Sequence, residues 1–242
     1  MNMATLSTRR GLATTAVVTA LVLSSFGARG SARPTTGSAT GDILFVATRN
    51  HPFAGQLYAI NPDGSGRRRV PTGSKLPWGA RWAPDGRHIA FEAGASSPSA
   101  RDAIFLIAPD GTRRVRIAQD SYPSNFAGTR PGVSFAWSPN GSRLAYSVIE
   151  DGKPRLYIGD LTGKKLVDLT PPEGASPTTS LGEVTWSRGG WVGFFRFAGD
   201  PATSNCCSLT YELVRSSGKG LRRILRIYDY PHDGPGISWS PN

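Results

Sequence analysis

Helical spacing of apolar residues is absent from this sequence outside its N-terminal segment. With 29 glycines and 19 prolines among 242 residues, at no fixed period, this excludes collagen, a coiled coil and an ordinary helical bundle. Charged residues are too few, at 19%, and aromatic residues too many, at 10%, for wholesale disorder. The composition therefore favours an all-β domain in which many turns join many short strands.

The common catalytic and cofactor motifs are missing as well. The sequence has no Gly-x-Ser-x-Gly, no His-Glu-x-x-His and no phosphate-binding glycine loop. We therefore predict no catalytic residue, no metal ligand and no cofactor. The net charge of +11 gives a basic surface, but the Lys and Arg clusters recur at one position of a repeat. That spacing favours charged edge strands, which discourage aggregation, over a nucleic-acid footprint.

The N-terminal segment reads as a secretion signal. The pair Arg9-Arg10 precedes the apolar run 12–26, which ends before small residues suited to cleavage. The run is about 15 residues long, short of the roughly 20 that a membrane span needs. A Sec and a twin-arginine signal both fit, and no cysteine lies near the cleavage site to carry a lipid. We expect three segments in an extracytoplasmic (periplasmic or secreted) protein: a signal at 1–32, a flexible lead-in at 33–41 and one domain at 42–242.

A two-part unit recurs roughly every fifty residues. Its first part reads AWSPNGSRLAYSV at 136–148, and its second part reads RLYIGDLTGKKLVDL at 155–169. Each part predicts a β-hairpin, because alternating apolar residues flank a Pro-Asn-Gly or Asp-Gly turn. Each unit is then a four-stranded antiparallel sheet with strands a to d, and such sheets stack as the blades of a β-propeller. We expect one tryptophan per unit to pack between blades: Trp82, Trp137, Trp186 and Trp239.

The two parts together resemble the repeat of the TolB β-propeller family, in which Trp-Ser-Pro-Asp-Gly precedes a second hairpin ending in Leu-Thr. The resemblance covers nearly all of 42–242 and implies the propeller fold. It also implies contacts with proteins of the cell envelope, but no particular activity. The third copy departs from the pattern at Arg188-Gly189-Gly190. Two arrangements stay open: three continuous blades plus one blade split between the termini, or an open fragment of a larger propeller.

The connections a–b and c–d are short in every unit, whereas b–c and d–a are long. Long loops on a rigid scaffold are where binding residues concentrate, and aromatic and Arg side chains dominate binding hot spots. We therefore predict a monomer that binds a protein or peptide of the cell envelope through its long-loop face. The predicted binding residues are Arg49, His51, Tyr122, Asn125, Arg130, Tyr228, Asp229, Tyr230 and His232.

Two enzymatic alternatives remain. His51 and His232 would fall on one face of a closed propeller, where with Asp229 or Asp233 they would suit a lactonase-like or cyclase-like hydrolase. The chain would otherwise be the propeller portion of a prolyl-oligopeptidase-like hydrolase. The adjacent pair Cys206-Cys207 receives no role, because a bridge between neighbouring cysteines is strained.

Overall fold

The chain divides into two compact units, Met1–Gly37 and Ser38–Asn242. A computed structural model describes only part of the second unit, and the predicted signal lies outside the described residues. Among these residues there is no helix of the length and apolarity needed to cross a bilayer. The described ranges are 41–48, 55–73, 76–94, 101–121, 133–172, 179–198, 208–227 and 237–240.

These ranges contain fifteen strands in four antiparallel sheets. Sheet A has β1 (Ile43–Thr48), β2 (Gly55–Ile60) and β3 (Arg68–Arg69). Sheet B has β4 (Leu76–Trp82), β5 (Ile89–Gly94), β6 (Ala103–Ile107) and β7 (Val115–Gln119). Sheet C has β8 (Ser134–Trp137), β9 (Arg143–Glu150), β10 (Lys153–Asp160) and β11 (Lys165–Asp168). Sheet D has β12 (Thr179–Trp186), β13 (Trp191–Ala198), β14 (Ser208–Arg215) and β15 (Arg222–Ile227).

Each sheet is a meander in which every strand pairs with the next one along the chain. The predicted four-stranded unit is confirmed in sheets B, C and D, and sheet A shows strands b, c and d. The first strand of each complete sheet and its last strand form the two edges. The basic clusters lie on or beside the last strands, as the repeat predicted: Arg68 and Arg69, Arg116, Lys165, and Arg222, Arg223 and Arg226.

The turn residues act as the sequence indicates. In the c–d turn of sheet B, Gly111 has φ +82 and its N–H donates to the Ala108 carbonyl at 2.8 Å. The Asp110 carboxylate accepts from the Thr112 N–H at 2.9 Å, which fixes the same turn from its side chain. The divergent third copy also forms its turn, since Gly190 has φ +77 and its N–H donates to the Ser187 carbonyl.

Apolar side chains fill the space between successive sheets. One cluster joins sheets A and B and includes Trp82, the next joins B and C around Trp137, and the third joins C and D beside Trp186. The prediction that these three indoles pack between blades is confirmed. A fourth cluster lies on the opposite face of sheet D, where Ile237 packs against it.

The sheets therefore follow one another in an open series from A to D. Within the described ranges, β1 pairs with β2 alone and residues 237–240 form no strand. Of the two predicted arrangements, these residues show the open one, and the split blade is not formed between them.

Candidate functional site

The two ends of the sheets differ in character. At one end, which we call the turn end, the a–b and c–d connections are short turns closed by main-chain hydrogen bonds. The other, the loop end, carries the b–c and d–a connections. The expectation that all of these are long is wrong for sheet C, where β9 and β10 are joined by the two-residue turn Asp151-Gly152. All the predicted binding residues lie in those connections and outside the described residues, as do Asp233 and the Cys206-Cys207 pair. What the structure describes at the loop end is the set of strand ends that flank these connections.

Three carboxyl groups gather at the loop end of sheet B, and we call them the acid cluster: Glu92, Asp102 and Asp120. Glu92 lies on β5, Asp102 precedes β6, and Asp120 follows β7. The Asp120 N–H donates to the Asp102 carbonyl at 2.9 Å, which fixes the two chain segments side by side. Burial raises the pKa of Glu92 to about 7 and that of Asp120 to about 7 as well. The charge of Asp102 adds to both increases.

Glu92 is held between the first strands of neighbouring sheets. Its Oε2 lies 2.9 Å from the position that a Cβ on Gly79 would occupy, so a larger residue on β4 would displace the carboxyl. The positive charge of Arg81 opposes the effect of burial on the Glu92 pKa, whereas the negative charge of Glu183 on β12 reinforces it. Since Arg81 belongs to sheet B and Glu183 to sheet D, the Glu92 carboxyl feels charge from both sheets.

Hydrogen bonds tie the first strands together beneath this group. Arg81 Nη1 donates to the Phe135 carbonyl of β8 at 2.8 Å, with the guanidinium carbon 5.4 Å from the Phe135 ring centroid. The Val184 N–H of β12 donates to Ser134 Oγ of β8 at 3.1 Å. The strands that flank Glu92 therefore form a rigid support, on which a binding group keeps its orientation.

Asp120 has a structural partner in the next sheet. Its Oδ1 accepts from the Ile149 N–H at 2.7 Å, and the Ser121 N–H donates to the Ile149 carbonyl at 2.7 Å. These bonds fasten sheet B to sheet C at the loop end. Among the described residues no group of three or more His, Cys, Asp or Glu side chains is arranged to hold a metal ion.

Sheet D contains a buried ion pair that the sequence analysis missed. Arg196 Nη2 on β13 lies 2.6 Å from Glu212 Oε2 on β14, and both side chains are buried. Arg223 Nε approaches the second Glu212 oxygen at 3.6 Å. At the paired position of strands b and c where sheet D has Phe194 and Glu212, the other sheets carry an aromatic pair: Phe45–Tyr58, Phe91–Phe105 and Tyr146–Tyr157. In sheet D the aromatic pair, Phe195–Tyr211, lies one residue away. The available signals were Arg196 within the largely apolar strand β13 and Glu212 between apolar residues of β14.

Comparison with known proteins identifies solved structures of similar architecture. No family model matches the chain. The chain superposes on TolB from Acinetobacter baumannii with a TM-score of 0.51 and 20% identity, covering 77% of this chain and 42% of that one. It superposes on a prolyl endopeptidase with a TM-score of 0.54 and 14% identity, covering 80% of this chain and 29% of that one. Dipeptidyl-peptidase 5 from Porphyromonas endodontalis is 26% identical over 121 residues, 47% of this chain.

These likenesses show the fold, which is a TolB-like β-propeller, as the repeat predicted. The chain spans less than half the length of either solved structure and 16% of the curated relative. At such identities and coverage, the activity and partners of those proteins do not transfer to this chain.

Proposed function

We propose that this protein is an extracytoplasmic β-propeller that binds a protein or peptide partner through its loop end, without catalysing a reaction. The observation that supports this proposal most directly is the contrast between the turn end and the loop end of the sheets. The turn end is closed by short turns, whereas the loop end combines connections that are mostly long with the buried acid cluster. Groups with raised pKa values gather at functional sites, because burial and like charge are tolerated there.

The chemistry of the loop end suits polar recognition. A carboxyl whose pKa is about 7, such as that of Glu92, is partly protonated near neutral pH. It therefore donates a hydrogen bond in one state and accepts in the other. The positive charge of Arg81 acts on this carboxyl, and the predicted Tyr and His side chains of the surrounding loops would add the amphipathic contacts found in binding hot spots.

The test begins with the mature chain, residues 33–242, panned against a phage-displayed library of random peptides. An enriched peptide is then synthesised and titrated by calorimetry against two variants. The loop-end variant replaces Tyr228, Tyr230 and His232 by alanine. The control variant replaces two exposed turn-end residues, Arg87 and Lys164, by alanine.

We expect the loop-end variant to bind the peptide at least about tenfold more weakly, a loss of roughly 1.4 kcal/mol, and the control variant to bind it almost unchanged. A peptide whose affinity is unaffected by the loop-end changes would disprove the assignment of the binding face. So would a library that yields no peptide above background.

Export is proposed from the Arg9-Arg10 segment and its apolar run. Fusion of residues 1–40 to β-lactamase, which confers ampicillin resistance only from outside the cytoplasm, tests export by either route. Resistant cells support export, and sensitive cells refute it. Replacing both arginines by lysine abolishes export if the twin-arginine route is used and leaves it intact if the Sec route is used.

A second candidate function is favoured by the sequence likeness to dipeptidyl-peptidase 5. Here the chain is the propeller portion of a prolyl-oligopeptidase-like hydrolase, and peptide binding at the loop end serves a catalytic domain elsewhere in the protein. The chain has a mass of 25.8 kDa. An immunoblot of the source cells with antibodies against residues 42–242 separates the two functions. A band far above that mass supports the hydrolase, and a band at or slightly below it supports the binding protein.

A further inference from the structure

One strand of sheet C extends past its neighbour at the loop end. β8 has four residues and begins at Ser134, which pairs with Ser147 of β9, whereas β9 continues to Glu150. Within the described ranges, the last residues of β9 therefore lie beyond the reach of β8. In sheets B and D the first strands have seven and eight residues and pair as far as the last residue of the second strand. Sheet C needs another partner for the end of β9.

Two residues of sheet B supply that partner. Asp120 Oδ1 accepts from the Ile149 N–H at 2.7 Å, and the Ser121 N–H donates to the Ile149 carbonyl at 2.7 Å. The Asp151 N–H, in the turn after β9, donates to Ser121 Oγ at 2.9 Å. We call these three hydrogen bonds the clasp. They satisfy main-chain groups at the uncovered edge of β9 and join sheet B to sheet C.

The clasp fixes the point at which the chain leaves sheet B for the connection 122–132. Tyr122 follows Ser121 directly and is one of three predicted binding residues in that connection, with Asn125 and Arg130. A binding group keeps its orientation when the backbone that supports it is held by hydrogen bonds. The clasp is therefore placed to orient part of the predicted binding face.

One acceptor of the clasp is titratable. Asp120 is only 7% exposed, and burial raises the pKa of its carboxyl to about 7. The hydrogen bond from the Ile149 N–H opposes this increase, and the charge of Asp102 reinforces it. Asp102 lies in the same sheet, where its carbonyl accepts from the Asp120 N–H.

The charged residues of sheet C that adjoin Ile149 in the chain are Glu150 and Asp151. The Glu150 carboxylate is paired with Lys165 and accepts a hydrogen bond from the Tyr157 hydroxyl at 2.7 Å, and Asp151 is exposed. Asp120 is thus the buried carboxyl on which the clasp depends.

The sign of the pH effect follows from the direction of the shift. When the clasp opens, water reaches Asp120 and its pKa returns towards the ordinary value of 3.8. Protonation therefore favours the closed clasp. Its closing equilibrium is greatest below about pH 4, falls by up to about tenfold for each pH unit as the pH rises to about 7, and changes little above that.

We propose that Asp120 and Ser121 are positioning residues for the partner-binding loop end, and that rising pH loosens the clasp and weakens binding. This rests on the function proposed above and adds its regulation. The partner is held most tightly at mildly acidic pH.

Hydrogen exchange of the Ile149 amide, followed by NMR between pH 5 and pH 7, measures the clasp of the mature chain without any ligand. The matched variant is Asp120→Asn, which keeps an acceptor oxygen and cannot ionise. We expect opening, corrected for the intrinsic exchange rate, to increase at least about tenfold over this range in the wild-type chain and to change little in the variant. Glu92→Gln should respond as the wild-type chain does. Opening that does not change with pH in the wild-type chain, or that increases equally in Asp120→Asn, overturns the proposal.

The peptide selected from the phage library tests the positioning role. Asp120→Ala removes an acceptor of the clasp. Asp110→Ala is its control, because the Asp110 carboxylate accepts from the Thr112 N–H at the turn end. At pH 5 we expect Asp120→Ala to bind the peptide at least about tenfold more weakly, and Asp110→Ala and Asp120→Asn to bind it almost unchanged. From pH 5 to pH 7 the affinity of the wild-type chain should fall further than that of Asp120→Asn.

Circular dichroism establishes that each variant is folded. A folded Asp120→Ala variant that binds as tightly as the wild-type chain would overturn the positioning role and leave the loop-end assignment intact. If Asp120→Ala does not fold, the comparison of Asp120→Asn with the wild-type chain decides, and equal falls in affinity refute the role. A library without binders removes the proposed function and the positioning role together, while amide exchange still shows whether the clasp responds to pH.

Discussion

The close contact between Gly111, at the tip of a hairpin of sheet B, and Pro71 gives a quantitative test of how sheets A and B are joined. Gly111 and Gly64 occupy the same place in c–d turns of the same form, with φ +82 and +83. They differ in surroundings. A Cβ on Gly111 would lie 2.6 Å from both Pro71 Cδ and the Pro71 carbonyl, whereas one on Gly64 would meet no described atom within 4 Å. Gly111→Ala and Gly64→Ala therefore differ only in the contact between sheets.

The expected costs follow from two separate effects. Alanine in a left-handed conformation costs about 1–2 kcal/mol, and both variants lose this amount. Gly111→Ala also forces its methyl group into the Pro71 backbone, which cannot move without opening the A–B contact. Overpacking of this kind costs about 1–3 kcal/mol. We expect Gly111→Ala to lower the free energy of unfolding by about 2–5 kcal/mol in total, and Gly64→Ala by about 1–2 kcal/mol.

Urea unfolding of the mature chain, followed by tryptophan fluorescence, measures both values. The comparison is valid where the slopes of the two transitions agree with that of the wild-type chain. Equal losses for the two variants would refute the reasoning, because they would mean that the hairpin tip of sheet B does not bear on sheet A.

Three further predictions concern the acid cluster, the ion pair and the indole contacts. The pKa of Glu92 in the folded protein, about 7, exceeds its ordinary value of 4.5, so the protein loses stability as the pH rises from about 4.5 to 7 and Glu92 ionises. The Glu92→Gln variant cannot ionise there, and at pH 8 it should be more stable than the wild-type chain by on the order of 3 kcal/mol. Glu212→Gln removes the buried carboxylate charge that the Arg196 guanidinium contacts and should cost about 3–5 kcal/mol. Trp82→Phe removes the bond from Nε1 to the Asp42 carbonyl, 2.8 Å long, and should cost about 1 kcal/mol.

Urea midpoints measured at pH 5 and pH 8 check all three. An unchanged difference between Glu92→Gln and the wild-type chain at the two pH values would contradict the raised pKa. The double variant Arg196→Met/Glu212→Tyr tests the ion pair. It places an aromatic side chain at position 212, where sheets B and C have Phe105 and Tyr157, and should recover most of the stability that Glu212→Gln loses. If the double variant does not recover this stability, the two side chains of the ion pair stabilise sheet D by more than neutralising each other's buried charge. A Trp82→Phe variant as stable as the wild-type chain would show that the indole bond contributes nothing between sheets A and B.

The repeat was readable because its signals are local. A Pro-Asp-Gly or Asp-Gly turn fixes two neighbouring strands whatever the rest of the chain does, so the hairpins and their order followed from the sequence. The spacing of Trp82, Trp137 and Trp186 then placed one large apolar side chain in each contact between sheets. Even the third copy, where Arg188 replaces the proline, forms the expected turn, because Gly190 adopts the positive φ that the last position of the turn requires.

The acid cluster could not be read in the same way. Glu92, Asp102 and Asp120 are separated along the chain, and their proximity depends on which strand ends share one end of the sheet. The raised pKa of Glu92 depends on its burial and on the charge of Glu183 in another sheet, neither of which a linear pattern reveals. The residues predicted to bind a partner lie in connections outside the described residues, and they stay a prediction.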